Sequence, residues 1–182
     1  MMFHRSERLF LRPAWPEDWQ ALFGGIADED VVRNLARAPW PYTADDARAF
    51  ASRGDDSRFP TFMLTLPHPG GAQLVGCAGL AAADMDGADA ELGYWIARPH
   101  WGRGYATEAS LAVLEVAAML GHRRIEAGHY IDNPASGRVL RKAGFEATGR
   151  VQPRDCLARG QAVEAAIYVR DLQQGCVALK AA

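Results

Sequence analysis

The stretch Glu91-Leu-Gly-Tyr-Trp-Ile-Ala-Arg-Pro-His-Trp-Gly-Arg-Gly-Tyr-Ala-Thr-Glu-Ala109 decides the fold of this chain. Its first part alternates with period 2, with Leu92, Tyr94 and Ile96 on one side, and it contains aromatic residues that favour strands. Pro99 restricts the preceding residue to extended conformations and so ends the strand. The stretch therefore predicts a strand, a turn, a glycine loop and the start of a helix, in that order.

The segment Trp101-Gly-Arg-Gly-Tyr-Ala106 predicts a loop that can approach a ligand closely, because its two glycines carry no Cβ. The residues from Thr107 to Leu120 follow directly and favour a helix. A loop that opens a helix directs unpaired N–H groups and the positive end of the helix dipole at one spot, which suits a phosphate or pyrophosphate. A Gly-x-Gly turn alone is more often structural, and this one matches neither Walker A nor Gly-x-Gly-x-x-Gly.

The segment Asp132-Asn-Pro-Ala-Ser-Gly-Arg-Val-Leu-Arg-Lys-Ala-Gly-Phe145 predicts a second helix with both ends specified. Asn133 is a favoured N-cap residue, Pro134 fits the first helical position, and Gly144 supplies the left-handed residue after the last turn. Ser136 falls on the inward face of this helix, where a buried hydroxyl needs a partner. The carbonyl one turn earlier is the simplest partner.

The remaining segments predict further strands and helices around this centre. Residues 61–66 and 73–80 read as a hairpin, because the residues between them are dense in turn formers. Antiparallel strands followed by strand–helix–strand–helix predict a mixed sheet with helices on its faces, in a single domain over residues 1–182. The other expected elements are helices over 16–23 (weakened by the glycines at 24 and 25) and 44–52, a turn over 84–89, and strands over 7–13, 124–131, 145–151 and 161–170.

Composition narrows the class of partner. The net charge is −2 and no lysine- or arginine-rich block stands out, so the charge gives no indication of nucleic acid or an anionic membrane as partner. The longest apolar stretch, around Leu111 to Leu120, is interrupted by Glu115 and is short for a membrane span. The first residues lack the apolar run of a signal peptide. These features predict a cytoplasmic protein.

The cysteines and histidines do not indicate a metal site. Cys77, Cys156 and Cys176 are odd in number and lack ligand spacing, which favours buried or incidental thiols in a reducing compartment. The histidines near turns, His100, His122 and His129, show no ligand spacing either, and we expect no metal.

The order of these motifs resembles the GNAT N-acetyltransferases, and most closely their RimJ/RimL branch. The resemblance rests on Glu-Leu-Gly-Tyr-Trp-Ile, Trp-Gly-Arg-Gly-Tyr-Ala-Thr-Glu-Ala, Asn133-Pro-Ala-Ser136 and Leu140-Arg-Lys-Ala-Gly-Phe145. The pyrophosphate loop of the family is usually Arg/Gln-x-x-Gly-x-Gly/Ala. Gly104 and Ala106 match its last two fixed positions, and Trp101 stands at the first, as is usual in this branch.

The resemblance implies an α/β (α+β) GNAT fold. This fold has a single mixed, mostly antiparallel sheet that is splayed at the central strands, with helices on both faces. It also implies acetyl-CoA as the cosubstrate of an acyltransferase. The backbone N–H groups implied for the pyrophosphate are those of Gly102, Arg103, Gly104, Tyr105 and Ala106. Main-chain groups near Trp95, Ile96 and Ala97, together with Asn133, are implied for the pantetheine arm, and Ser136 for the neighbourhood of the thioester sulfur.

Direct transfer of an acetyl group to an amine in a ternary complex needs a group that accepts the amine proton and a group that protonates the leaving thiolate. Glu91 is the candidate base because a carboxylate at the start of the central strand can face the acceptor, the alternative being a solvated carboxylate at a strand end. Ser136 is the candidate acid, the alternatives being a satisfied helix serine or a contact to the cofactor. Tyr94 and Tyr130 are rival acids or packing residues.

The acceptor that the branch suggests is a protein N-terminal α-amine, and relatives also acetylate small amines such as antibiotics or polyamines. Trp40 and Tyr42, in the variable N-terminal part, are candidates either for contact with a substrate or for packing a loop onto the core. A non-catalytic module that senses acyl-CoA is an alternative, and it would need the glycine loop but neither Glu91 nor Ser136. Another nucleotide-binding protein using the same helix terminus is a further alternative, and a homodimer is common in the resembling family.

Overall fold

The computed structural model describes residues 2–83 and 87–172. The strands in these ranges are β1 (His4–Arg5), β2 (Phe10–Arg12), β3 (Thr61–His68), β4 (Gly71–Ala81), β5 (Ala90–Ile96), β6 (Arg124–Tyr130), β7 (Glu146–Cys156) and β8 (Gln161–Asp171). The α-helices are α1 (Trp19–Ile26), α2 (Glu29–Val32), α3 (Ala44–Ala51), α4 (Tyr105–Met119) and α5 (Pro134–Lys142). The strands form one sheet in the order β1-β2-β3-β4-β5-β6-β8-β7, and only β5 and β6 pair in parallel.

The sheet opens between its two parallel strands. β5 pairs with β4 along its length, from Glu91 to Ile96, but it pairs with β6 only at Ala90 and at Glu91. Beyond these residues β5 and β6 separate, which leaves a gap at the C-terminal end of β5. The predicted mixed sheet, splayed at its central strands, is confirmed.

Helices cover both faces of this sheet, as predicted. On one face α4 and α5 contribute Val113 and Leu140 to a buried cluster that includes Leu92 of β5. On the other face α1 contributes Leu22 to a second cluster that includes Trp95 of the same strand. Because side chains alternate along a strand, β5 contributes to both clusters and lies at the centre of the molecule.

The first predicted helix lies further along the chain than expected. A 3₁₀ turn over Pro16–Asp18 leads into α1, which continues through both glycines to Ile26. A Cβ at Gly25 would lie 3.5 Å from the Trp95 ring, so the missing side chain lets the helix pack closely on β5. The helix propensity of glycine is overridden by this packing.

The strand predicted for residues 145–151 is too short. β7 continues to Cys156, so residues 152–156, which were expected to belong to a polar loop between the last two strands, are part of the strand. Pro153 lies inside it, which is tolerated because β7 is at the edge of the sheet and pairs only with β8. As a result Arg154 is held on a strand, paired in register with Val163.

Further predictions concerned the cysteines, one turn and membrane-spanning segments. Cys77 and Cys156 are buried free thiols, as predicted, whereas Cys176 lies outside the described residues. The turn expected over 84–89 lies partly outside them as well. Within the described part of the chain, the structure contains no helix long and apolar enough to cross a membrane.

Candidate active site

The glycine loop opens α4 as the sequence predicts. Gly102 and Gly104 have φ of 74° and 80°, in the left-handed region that favours glycine, and Gly104 is the N-cap residue. The helix begins at Tyr105, two residues earlier than expected, and its first backbone hydrogen bond runs from the N–H of Glu108 to the carbonyl of Gly104. The N–H groups of Tyr105 and Ala106 precede that bond and point out of the helix end.

The glycine loop is bound by a cluster of Ser6, Arg8 and Glu108, which connects it to the N-terminal segment. The guanidinium of Arg8 donates to the carbonyl of Arg103 at 3.0 Å and to the carboxylate of Glu108 at 2.7 Å. Glu108 also accepts hydrogen bonds from the backbone N–H of Arg8 at 2.6 Å and from the hydroxyl of Ser6 at 2.7 Å. Burial alone would raise the pKa of Glu108, but these hydrogen bonds outweigh burial and hold the pKa below its usual value.

Trp101 ties the loop to the end of β5. Its indole N–H donates to the carbonyl oxygen of Ile96 at 2.6 Å, while 47% of the residue remains exposed. His100, next to it, has a lowered pKa because of its burial and, secondly, because of the charge of Arg103. The loop therefore has two anchors, one to the N-terminal strands and one to the central strand.

The edge of β5 that faces the gap carries main-chain groups that can be identified from the register. The N–H of Ala97 donates to the carbonyl of Val75 at 2.9 Å, so it is directed away from the gap. Main-chain groups alternate in an antiparallel pair, so those of Trp95 face β4 as well, and those of Tyr94 and Ile96 face the gap. Of the three residues expected near the pantetheine arm, Ile96 is the one whose main-chain groups lie on the gap side, where its carbonyl already accepts from the indole of Trp101.

A pair of hydroxyl groups lies on the α5 side of the gap. The phenol oxygen of Tyr94 is 2.8 Å from the hydroxyl oxygen of Ser136, so Ser136 has Tyr94 as its partner rather than a carbonyl one turn earlier in the helix. The side chain of Asn133 accepts from the N–H of Ser136 at 3.2 Å and caps α5, as predicted. Burial raises the pKa of Tyr94 to about 12, with the hydrogen bond to Ser136 acting in the opposite direction, so the phenol is neutral at physiological pH.

The opposite face of β5 carries an ionic cluster. Glu91 forms an ion pair with Arg154 of β7, whose guanidinium also lies 3.5 Å from a carboxylate oxygen of Glu126. The side chain of Glu126 is 0% exposed, that of Arg154 15% and that of Glu91 18%. Glu91 and Glu126 are partners in the parallel register. Gly93 next to them is exposed, with open space where a Cβ would stand.

The two predicted catalytic residues are therefore separated by the sheet. Glu91 projects from one face of β5, whereas Ser136 contacts Tyr94 on the other face. Both faces border the gap between β5 and β6, where a ligand can contact both. The rival Tyr130 is buried and its phenol donates to the carbonyl of Asp155 at 2.7 Å, which is a packing arrangement.

The sequence did not single out three residues that the structure places around the site: Arg8, Glu126 and Arg154. Glu126 had a usable signal, because a charged residue between Ile125 and Ala127 interrupts an apolar strand. Trp40 is exposed and Tyr42 is buried, so the second of these aromatics packs the N-terminal helices. Among the residues that the structure describes, no cluster of three or more His, Cys, Asp or Glu could hold a metal ion.

Comparison with known proteins agrees with this geometry. Residues 8–146 match the family model described as the acetyltransferase (GNAT) domain, and the chain belongs to that family. It is an acyltransferase with acetyl-CoA as cosubstrate, as the sequence motifs predicted.

One curated relative is similar in sequence, and two solved structures share the fold. The chain is 29% identical over 150 residues to the uncharacterized N-acetyltransferase YoaA of Bacillus subtilis (strain 168), covering 79% of this chain and 82% of that protein. A GNAT-family acetyltransferase of Bacillus anthracis has the same fold with a TM-score of 0.79 and 24% identity, covering 93% of this chain and 98% of that one. RimL, a ribosomal L7/L12 alpha-N-protein acetyltransferase crystallised with coenzyme A, has a TM-score of 0.73 and 20% identity, covering 96% and 100%.

Proposed function

We propose that this enzyme transfers the acetyl group of acetyl-CoA to a protein N-terminal α-amine, by direct attack within a ternary complex. The observation that carries the proposal is the gap between β5 and β6. The features that support the proposal are grouped around β5: the N-terminus of α4, the open strand edge, the hydroxyl pair of Tyr94 and Ser136, and the ionic cluster at Glu91. The RimJ/RimL-type motifs and the shared fold with RimL support the choice of a protein N-terminus as acceptor.

The cofactor is positioned by main-chain groups. The N–H groups of the loop from Gly102 to Ala106 bind the pyrophosphate, whose negative charge is favoured at the positive end of the α4 dipole. The pantetheine arm adds to the open edge of β5 at Tyr94 and Ile96, where main-chain groups face the gap. Asn133 contacts the same arm, which brings the thioester sulfur close to Ser136.

The chemistry then follows from the two faces of β5. The nitrogen of the neutral amine attacks the thioester carbonyl carbon, a C–N bond forms, and the C–S bond breaks. Glu91 accepts the proton that the amine loses, and Ser136, hydrogen-bonded to Tyr94, supplies a proton to the leaving thiolate. Holding both substrates in one cleft supplies much of the remaining acceleration.

The test is mass spectrometry of an acceptor panel incubated with the enzyme and acetyl-CoA. The panel contains peptides with free N-termini and varied first residues, lysine-only peptides with blocked N-termini, polyamines and aminoglycosides. Acetylation of free N-termini with blocked peptides unchanged supports the proposal. Acetylation of polyamines or aminoglycosides alone would contradict the proposal and identify a small amine as the acceptor.

A second pair of variants separates an enzyme from a module that only senses acyl-CoA. Glu91→Gln and Ser136→Ala remove the proposed base and acid while leaving the glycine loop intact. Loss of turnover with unchanged affinity for acetyl-CoA, measured by calorimetry, supports catalysis at these residues. Unchanged turnover in both folded variants would remove them from the mechanism.

A further inference from the structure

We propose that Arg154 and Glu126 are positioning residues that set the charge state and orientation of Glu91. The inference rests on the proposed function, since it gives Glu91 the role of the acceptor-side carboxylate. It assigns a role to an arginine of the edge strand β7 that belongs to none of the motifs in the sequence.

The geometry of the cluster carries the proposal. The guanidinium of Arg154 extends from β7 past Gly128 of β6, where a Cβ would lie 3.6 Å from its central carbon, and reaches Glu91 of β5. A side chain that crosses the neighbouring strands and is only 15% exposed is held by its surroundings. One carboxylate oxygen of Glu91 is thereby fixed, and the exposed Gly93 leaves open space beside Glu91 for the acceptor.

The two neighbours of Glu91 act on it in opposite directions. A guanidinium in contact with a carboxylate favours its ionised form, whereas a second carboxylate disfavours it. Glu126 lies in register with Glu91 on the adjacent parallel strand and is completely buried, so its charge is weakly screened. Arg154 contacts both carboxylates, so it is the group through which the two are held relative to one another.

Other titratable groups on this face of the sheet lie beyond Glu126 on β6 and beyond Arg154 on β7. Tyr130 of β6 and Cys156 of β7 pack together, and Arg159 lies over the Tyr130 ring with 5.1 Å from its central carbon to the ring centroid. The phenol of Tyr130 is engaged with the carbonyl of Asp155. Arg154 contacts the carboxylates of both Glu91 and Glu126.

The experiment measures the titration of Glu91 directly, by carbon NMR of its side-chain carboxyl group in the full-length protein. Arg154→Met removes the guanidinium, and we expect the titration midpoint of Glu91 to move to higher pH. Glu126→Gln removes the competing carboxylate, and we expect the midpoint to move to lower pH. Arg154→Lys keeps the charge and returns the midpoint toward that of the unaltered protein. Shifts in opposite directions distinguish electrostatic control from general loosening of the fold.

Kinetics provides the second readout once an acceptor is in hand. Misplacing Glu91 in Arg154→Met lowers kcat/KM for the acceptor by about 100-fold, with the acid limb of the pH–rate profile moved to higher pH, and leaves KM for acetyl-CoA unchanged. Arg150→Met, which changes an exposed arginine of the same strand, is the matched control and changes neither quantity.

The outcomes separate this inference from the proposed function. A Glu91 midpoint that is the same in Arg154→Met, Glu126→Gln and the unaltered protein overturns the inference, whatever the acceptor is. If Arg154→Met does not fold, the direction of the shift in Glu126→Gln decides. An enzyme that acetylates none of the panel contradicts the proposed function, while the NMR titration still tests the control of Glu91.

Discussion

The two faces of the central strand β5 carry different kinds of polar group. On the face covered by α4 and α5, Tyr94 and Ser136 form a neutral pair of hydroxyl groups. On the opposite face, Glu91 belongs to an ionic cluster with Arg154 and Glu126. Alternation of side chains along a single strand is enough to produce this division.

The proposed function assigns one substrate to each face. In that proposal the cofactor meets backbone N–H groups and neutral hydroxyls, and the helix dipole favours its phosphate charge. Glu91 and its ionic partners lie on the face proposed for the acceptor. We therefore expect substitutions on the two faces to affect different kinetic constants.

The largest effect is expected on the acceptor side. Glu91→Gln removes the proposed base while keeping the size of the side chain, and we expect kcat to fall by about 100- to 1,000-fold. Binding of acetyl-CoA, measured by calorimetry, remains unchanged because Glu91 lies on the other face of β5. Glu146→Gln, at an exposed position of β7, serves as control. A fall in cofactor affinity in Glu91→Gln would contradict the division between the faces.

The next effect is expected at the glycine loop. Gly104→Val places a β-branched residue at a φ of 80°, which costs about 1–3 kcal/mol when the loop keeps its shape. We expect Kd for acetyl-CoA to rise by about tenfold or more, because the loop relaxes away from the geometry that directs its N–H groups at phosphate. Unchanged affinity in a folded variant would remove the loop from the cofactor site.

A smaller effect is expected from the hydroxyl pair. Tyr94→Phe removes the partner of Ser136, and we expect kcat to fall by about tenfold with little change in the melting temperature. The phenol of Tyr94, with its pKa raised to about 12 by burial, stays protonated at pH 10, so the unaltered enzyme loses no activity there through this group. Tyr130→Phe is the matched comparison, because that phenol donates to a backbone carbonyl. It lowers the melting temperature and leaves kcat unaltered, and the reverse pattern would exchange the roles of the two tyrosines.

The smallest effect is expected from a serine on the neighbouring helix. Ser110 of α4 is 0% exposed, and its hydroxyl donates to the carbonyl of Ala106 one turn earlier at 2.7 Å. Ser110→Ala leaves that carbonyl within the helix, so we expect kcat and Kd for acetyl-CoA to stay within about twofold of the unaltered enzyme. Ser136→Ala, measured alongside, reduces kcat. Equal behaviour of the two serines would mean that Ser136 is merely structural.

The parts of the site that could be predicted from sequence depend on local physics. The conformation of the glycine loop follows from the residues themselves, and the capping of α5 by Asn133 follows from its neighbours. Both involve positions within a few residues of one another. A short motif specifies such geometry almost completely.

The parts that were missed depend on contacts between distant segments. Arg154 is 63 residues from Glu91 in the chain, and Arg8 is 100 residues from Glu108. Each pair comes into contact only after the sheet has assembled. The strand position of Arg154 was also not predicted, because Pro153 precedes it in a segment expected to be a loop. No period or capping signal in the sequence connects either pair.

The contact between Arg8 and the glycine loop has a consequence for the first strands. The carboxylate of Glu108 accepts hydrogen bonds from the backbone N–H groups of Arg8 and Leu9, so one side chain links the N-terminal segment to the first turn of α4. A ligand that orders the loop must then also suppress local opening of this segment, and a segment that is pulled open must weaken the ligand by the same free energy. Amide hydrogen exchange at Arg8 and Leu9 thus becomes a remote indicator of cofactor occupancy. A tag fused close to these strands acts on the same equilibrium.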